Sequence, residues 1–126
     1  MNGVLVDTSV WVDHFRHRND HLIELLEHDW VFVHPLVWGE LACGTPPNRS
    51  QTLPDLENLR QTLQANIGET VSFIEREHLF GLGCGLVDML LLASVIMTPG
   101  AMLWTLDKRL CALAERFGVM FQPGLL

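Results

Sequence analysis

The sequence predicts an α/β protein in which helices cover both faces of a parallel β-sheet. Short apolar runs of strand length alternate along the chain with segments of helical periodicity, which is the pattern of a parallel sheet. The first run, residues 4–6, has no polar position and therefore fits a strand buried on both faces. The 126 residues are 48% hydrophobic and 18% charged, which is enough for one core. We therefore expect a single domain over residues 1–126.

The N-terminal part of the chain is predicted to contain two strands and three helices. Polar residues that favour helix starts precede apolar periodic segments at two places, Thr8 or Ser9 and Asn19 or Asp20. Residues 30–33 are apolar and β-branched, which fits the second strand. Pro35 suits the first turn of a helix over residues 36–43, and Gly44 is expected to end it.

The C-terminal part is predicted to continue the alternation of helices and strands. Leucines spaced for one helical face predict a helix over residues 53–63. Residues 86–97 are apolar on almost every side, which predicts a helix at the centre of the core. The other expected elements are strands at 70–72, 101–104 and 119–121 and helices at 74–82 and 107–117.

Charge and cysteine content limit the classes of function. The net charge of −7 argues against a broad basic face that binds nucleic acid through its phosphates. RNA is not excluded as a substrate, because divalent cations held by converging acids would reverse the local field. The three cysteines, Cys43, Cys84 and Cys111, lack metal-ligand spacing, so we expect small buried side chains rather than a disulfide or zinc site. No leader or membrane-spanning run is recognisable, so a cytoplasmic location is expected.

Four acidic residues stand in apolar segments or directly after predicted strands: Asp7, Glu40, Asp88 and Asp107. Asp7 and Asp107 each follow a strand, and ligands of open α/β sheets bind at the edge formed by the carboxyl ends of the strands. Buried carboxylates need a hydrogen bond, an ion pair or a metal. Mg²⁺ and Mn²⁺ prefer oxygen ligands. Together these acids predict a metal site that activates water for attack on a phosphodiester.

Each acid also has a purely structural interpretation. Asp7 and Asp107 would cap the helices that follow them. Glu40 would lie on the exposed face of an amphipathic helix, and Asp88 would stabilise a helix start. The metal-site interpretation therefore depends on the set of four.

Three hydroxyl side chains near the acids are candidates for a supporting role: Thr8, Ser9 and Thr105. They are expected to donate hydrogen bonds to the carboxylates or to hold a water molecule. We expect Thr8 or Ser9 to cap the first helix, which leaves the carboxylate of Asp7 free to face a metal.

Four segments, VLVDTSVWVDHF, PLVWGELACG, GLGCGLVDMLLLAS and LWTLDKRL, resemble the four acidic motifs of PIN-domain ribonucleases. The VapC toxins of bacterial toxin–antitoxin pairs are the most similar, and the resemblance runs from residue 4 to about residue 121. It implies a three-layer α/β/α sandwich and an endoribonuclease dependent on Mg²⁺ or Mn²⁺. The catalytic and metal-binding acids that it implies are Asp7, Glu40, Asp88 and Asp107. It also implies a homodimer and a cognate antitoxin, with a higher hetero-oligomer when the antitoxin binds.

Several residues outside the acidic set are candidates for contacts with a substrate or partner. Lys108, Arg109 and Arg16 are expected near phosphates of the RNA. His34 precedes the helix that carries Glu40 and is a candidate for substrate contact. The C-terminal QPGLL ends apolar, as partner-binding surfaces do.

Two other functions match parts of the pattern. A non-catalytic interaction module would keep the fold and bind a partner, but the presence of all four acids argues against it. A phosphoryl-transfer domain of the receiver or haloacid-dehalogenase type also places an aspartate after the first strand. However, Ser9 stands where the dehalogenase pattern needs a second acid, and no adjacent acidic pair precedes Asp7.

Overall fold

The computed structural model describes residues 1–124, which form a four-stranded, all-parallel sheet and seven helices. The strands are β1 Gly3–Val6, β2 Val31–Val33, β3 Arg60–Gln61 and β4 Ala101–Trp104. The helices are α1 Thr8–His17, α2 Asp20–Glu27, α3 Pro35–Ala42, α4 Arg49–Glu57, α5 Ile67–Glu77, α6 Leu86–Met97 and α7 Lys108–Arg116. The predicted α/β class with a central parallel sheet is confirmed.

β1 lies at the centre of the sheet, whose strand order is β3-β2-β1-β4. Leu5 of β1 stands opposite Phe32 on one side and Leu103 on the other. Every residue of β1 is buried, including those that point to opposite faces. Because successive side chains of a strand alternate between faces, helices must cover both faces of the sheet, as predicted.

α6 is the central helix, with the bounds predicted from its composition. Residues 89–95 are all buried, and the helix packs against β4, α5 and α7. A helix that is apolar on every side has no face suited to water, so its only stable place is inside the core. Asp88 stands at its third position, where α6 emerges from the core.

The segment between β2 and α6 differs most from the prediction. The helix expected at 53–63 is α4, which begins earlier and ends at Glu57, and the strand at Arg60–Gln61 was not predicted. β3 consists of two exposed polar residues, so its composition does not indicate a strand. It is a strand because it pairs with β2.

Residues 70–72 belong to α5, so the predicted strand there is wrong. Asn66 and Glu69 form a capping box, which starts a helix at this point.

The end of the chain is less regular than predicted. The strand expected at 119–121 is reduced to a single parallel bridge between Leu103 and Met120. Leu125 and Leu126 of the QPGLL segment lie outside the described residues. None of the helices formed by residues 1–124 is long and apolar enough to cross a membrane.

The chain order places a topological switch point between β1 and β4. From β1 the chain adds β2 and β3 on one side of the sheet, and then crosses to add β4 on the other side of β1. At such a point the loops after the two strands run in opposite directions, which opens a crevice at the carboxyl edge of the sheet. Asp7 directly follows β1, and Asp107 follows β4.

Candidate functional site

Asp7 is the only one of the four acids that is buried; 7% of its surface is exposed. Its Oδ1 accepts a 2.8 Å hydrogen bond from the backbone N–H of Thr8, so Asp7 itself is the N-cap of α1. Ser9 Oγ donates to Asp7 Oδ2 at 2.9 Å. The expectation that Thr8 or Ser9 caps this helix is therefore wrong. The cap and the proposed ligand are the same carboxylate, and the hydroxyl of Ser9 supports it.

Thr105 links the ends of the two central strands. Its Oγ1 donates a 2.8 Å hydrogen bond to Asp7 Oδ2 and accepts one of 3.1 Å from the N–H of Asp107. The N–H of Leu106 donates to Ser9 Oγ at 3.0 Å. The loop after β4 is thus fixed to the start of α1. Ser9 and Thr105 were predicted to lie beside the acids and to bond to them, and these contacts agree with that prediction.

Asp107 is exposed and caps α7. Its Oδ1 accepts hydrogen bonds from the N–H groups of Arg109 and Leu110, at 2.9 and 3.0 Å. Its Oδ2 accepts none from the residues that the structure describes. One oxygen therefore holds the helix, and the other is available to a ligand.

Asp88 is half-buried, and its Oδ2 accepts a 3.2 Å hydrogen bond from the N–H of Gly85 at the start of α6. Burial raises the pKa of Asp88, the hydrogen bond from Gly85 lowers it, and the charges of Asp7 and Asp107 raise it further, with a net increase. Burial also raises the pKa of the Cys84 thiol, and the charges of Asp88 and Asp107 add to that increase. Asp7 and Asp107 therefore lie close enough to Asp88 for their charges to act on its carboxylate.

Glu40 lies on the exposed side of α3 and is held by a residue of α1. Thr8 Oγ1 donates a 2.9 Å hydrogen bond to Glu40 Oε1. The supporting role predicted for Thr8 is thus directed at Glu40 rather than at Asp7. Glu40 and Asp107 are both exposed, so neither carboxylate carries the desolvation cost of a buried charge.

The donor set suits a hard divalent cation, although the side chains do not already form a ligand cage. Within residues 1–124 no three His, Cys, Asp or Glu side chains stand together as ligands for one metal ion. The oxygens Asp88 Oδ1, Asp107 Oδ2 and Glu40 Oε2 accept no hydrogen bond from described residues. Mg²⁺ keeps several of its waters, so it needs few direct protein ligands. Free carboxylate oxygens near a buried, hydrogen-bonded Asp7 satisfy that requirement.

The cations predicted near the acids lie in different environments. Arg109 extends over the glycine loop before α6, and its Nη1 donates to the carbonyl of Gly83 at 3.4 Å. Lys108 is exposed at the first position of α7. Arg16 is exposed on the last turn of α1 and lines a cleft that also contains Glu40. Arg109 has a structural contact that the sequence did not reveal, while Arg16 and Lys108 are free of salt bridges to described residues.

His34 is buried, with 3% of its surface exposed, so its candidacy for substrate contact is wrong. Its Nδ1 accepts from the N–H of Leu36 and caps α3, which leaves the hydrogen on Nε2. Nε2 lies 3.3 Å from Ser94 Oγ. Ser94 Oγ in turn donates to the carbonyl of Leu90 and accepts from the N–H of Ala65. This network ties the helix that carries Glu40 to the helix that carries Asp88.

The fold and the acidic edge together define a class of protein. The model of the PIN domain family matches residues 4–116, and the chain belongs to this family. Two curated relatives, each named Ribonuclease VapC32, come from Mycobacterium tuberculosis strains CDC 1551 / Oshkosh and ATCC 25618 / H37Rv. Each is 45% identical over 116 residues, which cover 92% of this chain and 94% of the relative. The predicted similarity to VapC-type PIN proteins is confirmed.

Proposed function

We propose that the chain is an endoribonuclease that depends on Mg²⁺ or Mn²⁺ and acts as the toxin of a type II toxin–antitoxin pair in the cytoplasm. The observation that carries this proposal is the meeting of Asp7 and Asp107 at the switch point of the sheet, where Thr105 Oγ1 hydrogen-bonds to both residues. Asp88 lies near them, since burial and then the charges of Asp7 and Asp107 raise its pKa. Like charges are held together against their repulsion where a cation or a proton is to be bound. The ribonuclease name of both relatives supports RNA as the substrate.

Asp88, Asp107 and Glu40 would hold the metal through their unbonded oxygens, and Asp7 through a carboxylate that Thr8, Ser9 and Thr105 already orient. These are the roles expected from the sequence. A bound divalent ion would supply an activated water and neutralise charge on the phosphodiester. The chain's own contribution is to fix the positions of these oxygens. Ser9 and Thr105 hold Asp7, Thr8 holds Glu40, and the backbone at the starts of α6 and α7 holds Asp88 and Asp107.

Three helix N-termini also face the acidic edge. Asp7 and Asp107 cap α1 and α7, and Asp88 lies in the first turn of α6. Helix N-termini carry partial positive charge, equivalent to roughly half an elementary charge each. That charge offsets part of the repulsion among the carboxylates and favours an approaching RNA phosphate. Lys108, Arg109 and Arg16 are proposed as further phosphate contacts.

A cognate antitoxin and a homodimer are part of the proposal. The acidic edge would attract a basic side chain of the antitoxin, which would compete with the metal for the carboxylates. Support comes from the net charge of −7 and from exposed apolar side chains elsewhere on the molecule, among them Leu63, Ile67 and Phe80.

The test is RNA cleavage by the wild type, Asp7→Asn and Asp88→Asn in the presence of Mg²⁺. Asparagine keeps an oxygen that accepts the capping hydrogen bonds, so both variants should fold. Cleavage is expected to fall by at least about 100-fold in each, because a metal ligand is lost.

Asp55→Asn is the matched control, because Asp55 is an exposed carboxylate on α4 whose side chain bonds, among the described residues, only to Gln51. It should cleave RNA like the wild type. If folded Asp7→Asn and Asp88→Asn proteins keep full activity, the assignment of the acids is wrong. If the wild type cleaves no RNA with either metal, the non-catalytic interaction module becomes the better description.

A further inference from the structure

A cleft of about 350 Å³ opens beside the acidic edge, between α1, α3 and the loop over residues 44–47. Its volume lies within the roughly 300–1,000 Å³ of small-molecule sites. Apolar and polar side chains both line it, namely Val12, Phe15, Leu41, Thr8, Arg16 and Glu40. This combination suits a ligand with flat apolar faces and a polar edge.

The cleft is continuous with the proposed catalytic site. Thr8 and Glu40 belong to its wall, and they are joined by a 2.9 Å hydrogen bond. Glu40 therefore borders the cleft and is also joined through Thr8 to the start of α1, which Asp7 caps. A substrate whose scissile bond lies at the acids would place its next group in this cavity.

The rim of the cleft carries a cation, Arg16. Arg16 is exposed and forms no salt bridge with described residues, whereas Arg18 nearby is paired with Asp20 at 3.0 Å. In a chain of net charge −7, an unpaired guanidinium beside a cleft favours an anionic ligand. Arginine binds phosphate through two parallel hydrogen bonds.

We propose that this cleft binds the nucleobase next to the scissile phosphodiester, while Arg16 binds the phosphate beyond it. The inference rests on the proposed function, since it assumes an RNA substrate. The base would lie against the apolar side chains of Val12 and Phe15, where stacking and burial do not require one base identity. The polar groups of Thr8 and the 44–47 loop would then favour some bases over others, so the cleft sets the sequence preference of cleavage.

A nucleotide fits these observations better than a protein segment does. A nucleotide brings an apolar ring and a negative charge together in one small unit, which matches the apolar wall and Arg16. An apolar protein segment would offer no anion to the guanidinium of Arg16.

The experiment fills the cleft with a larger side chain. Thr45 is exposed and lines the cleft, so Thr45→Trp should occupy the space without disturbing the core. Ser50→Trp, on the exposed start of α4 and outside the cleft lining, is the matched control.

Cleavage sites are mapped in an RNA pool of mixed sequence, and KM and kcat are measured on one RNA. Thr45→Trp should raise KM about tenfold and flatten the sequence preference, since one base contact is lost.

A second measurement does not depend on catalysis. Each of the four ribonucleoside 5′-monophosphates is titrated into metal-free protein, and NMR chemical shifts are followed. Chemical-shift changes should cluster at Val12, Phe15 and Leu41, and they should disappear in Thr45→Trp. They should become smaller in Arg16→Ala but not in Arg18→Ala. Shifts elsewhere, or an unchanged KM and preference in Thr45→Trp, overturn the proposal. Absence of RNA cleavage by the wild type contradicts the proposed function, and the titration still decides whether the cleft binds nucleotides.

Discussion

The hydroxyl of Thr105 donates a 2.8 Å hydrogen bond to the carboxylate of Asp7, although the two residues are 98 positions apart in the chain. Thr105 directly follows β4 and Asp7 directly follows β1, and these strands are neighbours in the sheet. The bond therefore links the ends of β1 and β4 at the switch point, where the proposed metal site lies. It also orients a buried carboxylate that would otherwise lack one of its hydrogen bonds.

Replacing Thr105 by Val tests that bond. The variant keeps the shape of the side chain but leaves the N–H of Asp107 without its partner and Asp7 Oδ2 with only the hydrogen bond from Ser9. The expected loss is about 1–3 kcal/mol in the free energy of unfolding, measured by urea denaturation, together with lower RNA cleavage. Thr105→Ser keeps the hydroxyl and should retain most of both. Equal behaviour of the Val and Ser variants would show that the hydrogen bond is unimportant.

Asp88 predicts a pH dependence of stability in metal-free protein. Its pKa is raised in the folded state, so folding favours the protonated acid. Stability from this group is therefore complete below the ordinary pKa of 3.8 and is lost as pH rises through the raised value. Asp88→Asn should remove this loss and raise the melting temperature at neutral pH in the presence of EDTA. Asp55→Asn is the control, and a lower melting temperature for Asp88→Asn at neutral pH would contradict the prediction.

Divalent metal should stabilise the folded protein. A ligand that binds only the native state at ten times its Kd adds about 1.4 kcal/mol. For a domain of this size, that corresponds to a rise of about 5 °C in melting temperature, measured with Mn²⁺. Asp107→Asn keeps the cap of α7 and should respond less. A wild type that shows no response to millimolar Mn²⁺ would favour the non-catalytic interaction module.

His34 and Ser94 should contribute to stability in a second pH range. Burial lowers the pKa of His34 below its ordinary 6.5, so folding favours the neutral ring. Its stability contribution is therefore present above pH 6.5 and is lost as pH falls through the lowered value. His34→Asn keeps an acceptor for the cap of α3 and should remove the part of the acid sensitivity that His34 causes. Melting curves between pH 7.5 and pH 5 compare it with the wild type; parallel profiles would exclude a role for His34.

Gly83 and Gly81 allow a matched test of the loop before α6. Both have positive φ, +87° and +73°, so alanine at either should destabilise the fold by about 1–2 kcal/mol. Only at Gly83 would the new Cβ meet Arg109, whose Nη1 lies 2.7 Å from that position. Gly83→Ala should therefore reduce RNA cleavage more than Gly81→Ala does. Equal cleavage by two variants of equal stability would show that the placement of Arg109 does not matter.

The sequence by itself determined the features that depend on neighbouring residues. The apolar composition of residues 86–97 fixed α6, and the order of strands and helices fixed the parallel sheet. Asp7 could be placed at a strand end because it directly follows an apolar run, and Asp107 because it stands shortly after one. The choice between helix cap and ligand could not be made locally, because the two oxygens of each carboxylate have different partners. In Asp107 one oxygen caps the helix and the other accepts no hydrogen bond from described residues, while in Asp7 the second oxygen is held by Ser9 and Thr105.

Tertiary structure decided what depends on residues distant in the chain. β3 is a strand only because β2 pairs with it, and its two polar residues carry no local signal. Thr8 supports Glu40 rather than Asp7 because packing brings α1 beside α3. His34 is buried, and its ring lies 3.3 Å from Ser94 Oγ, which is 60 residues away in the chain and is brought near only by folding. A hydrogen bond across the sheet edge depends on the order of the strands, and that order is set by packing of the whole core rather than by any single segment.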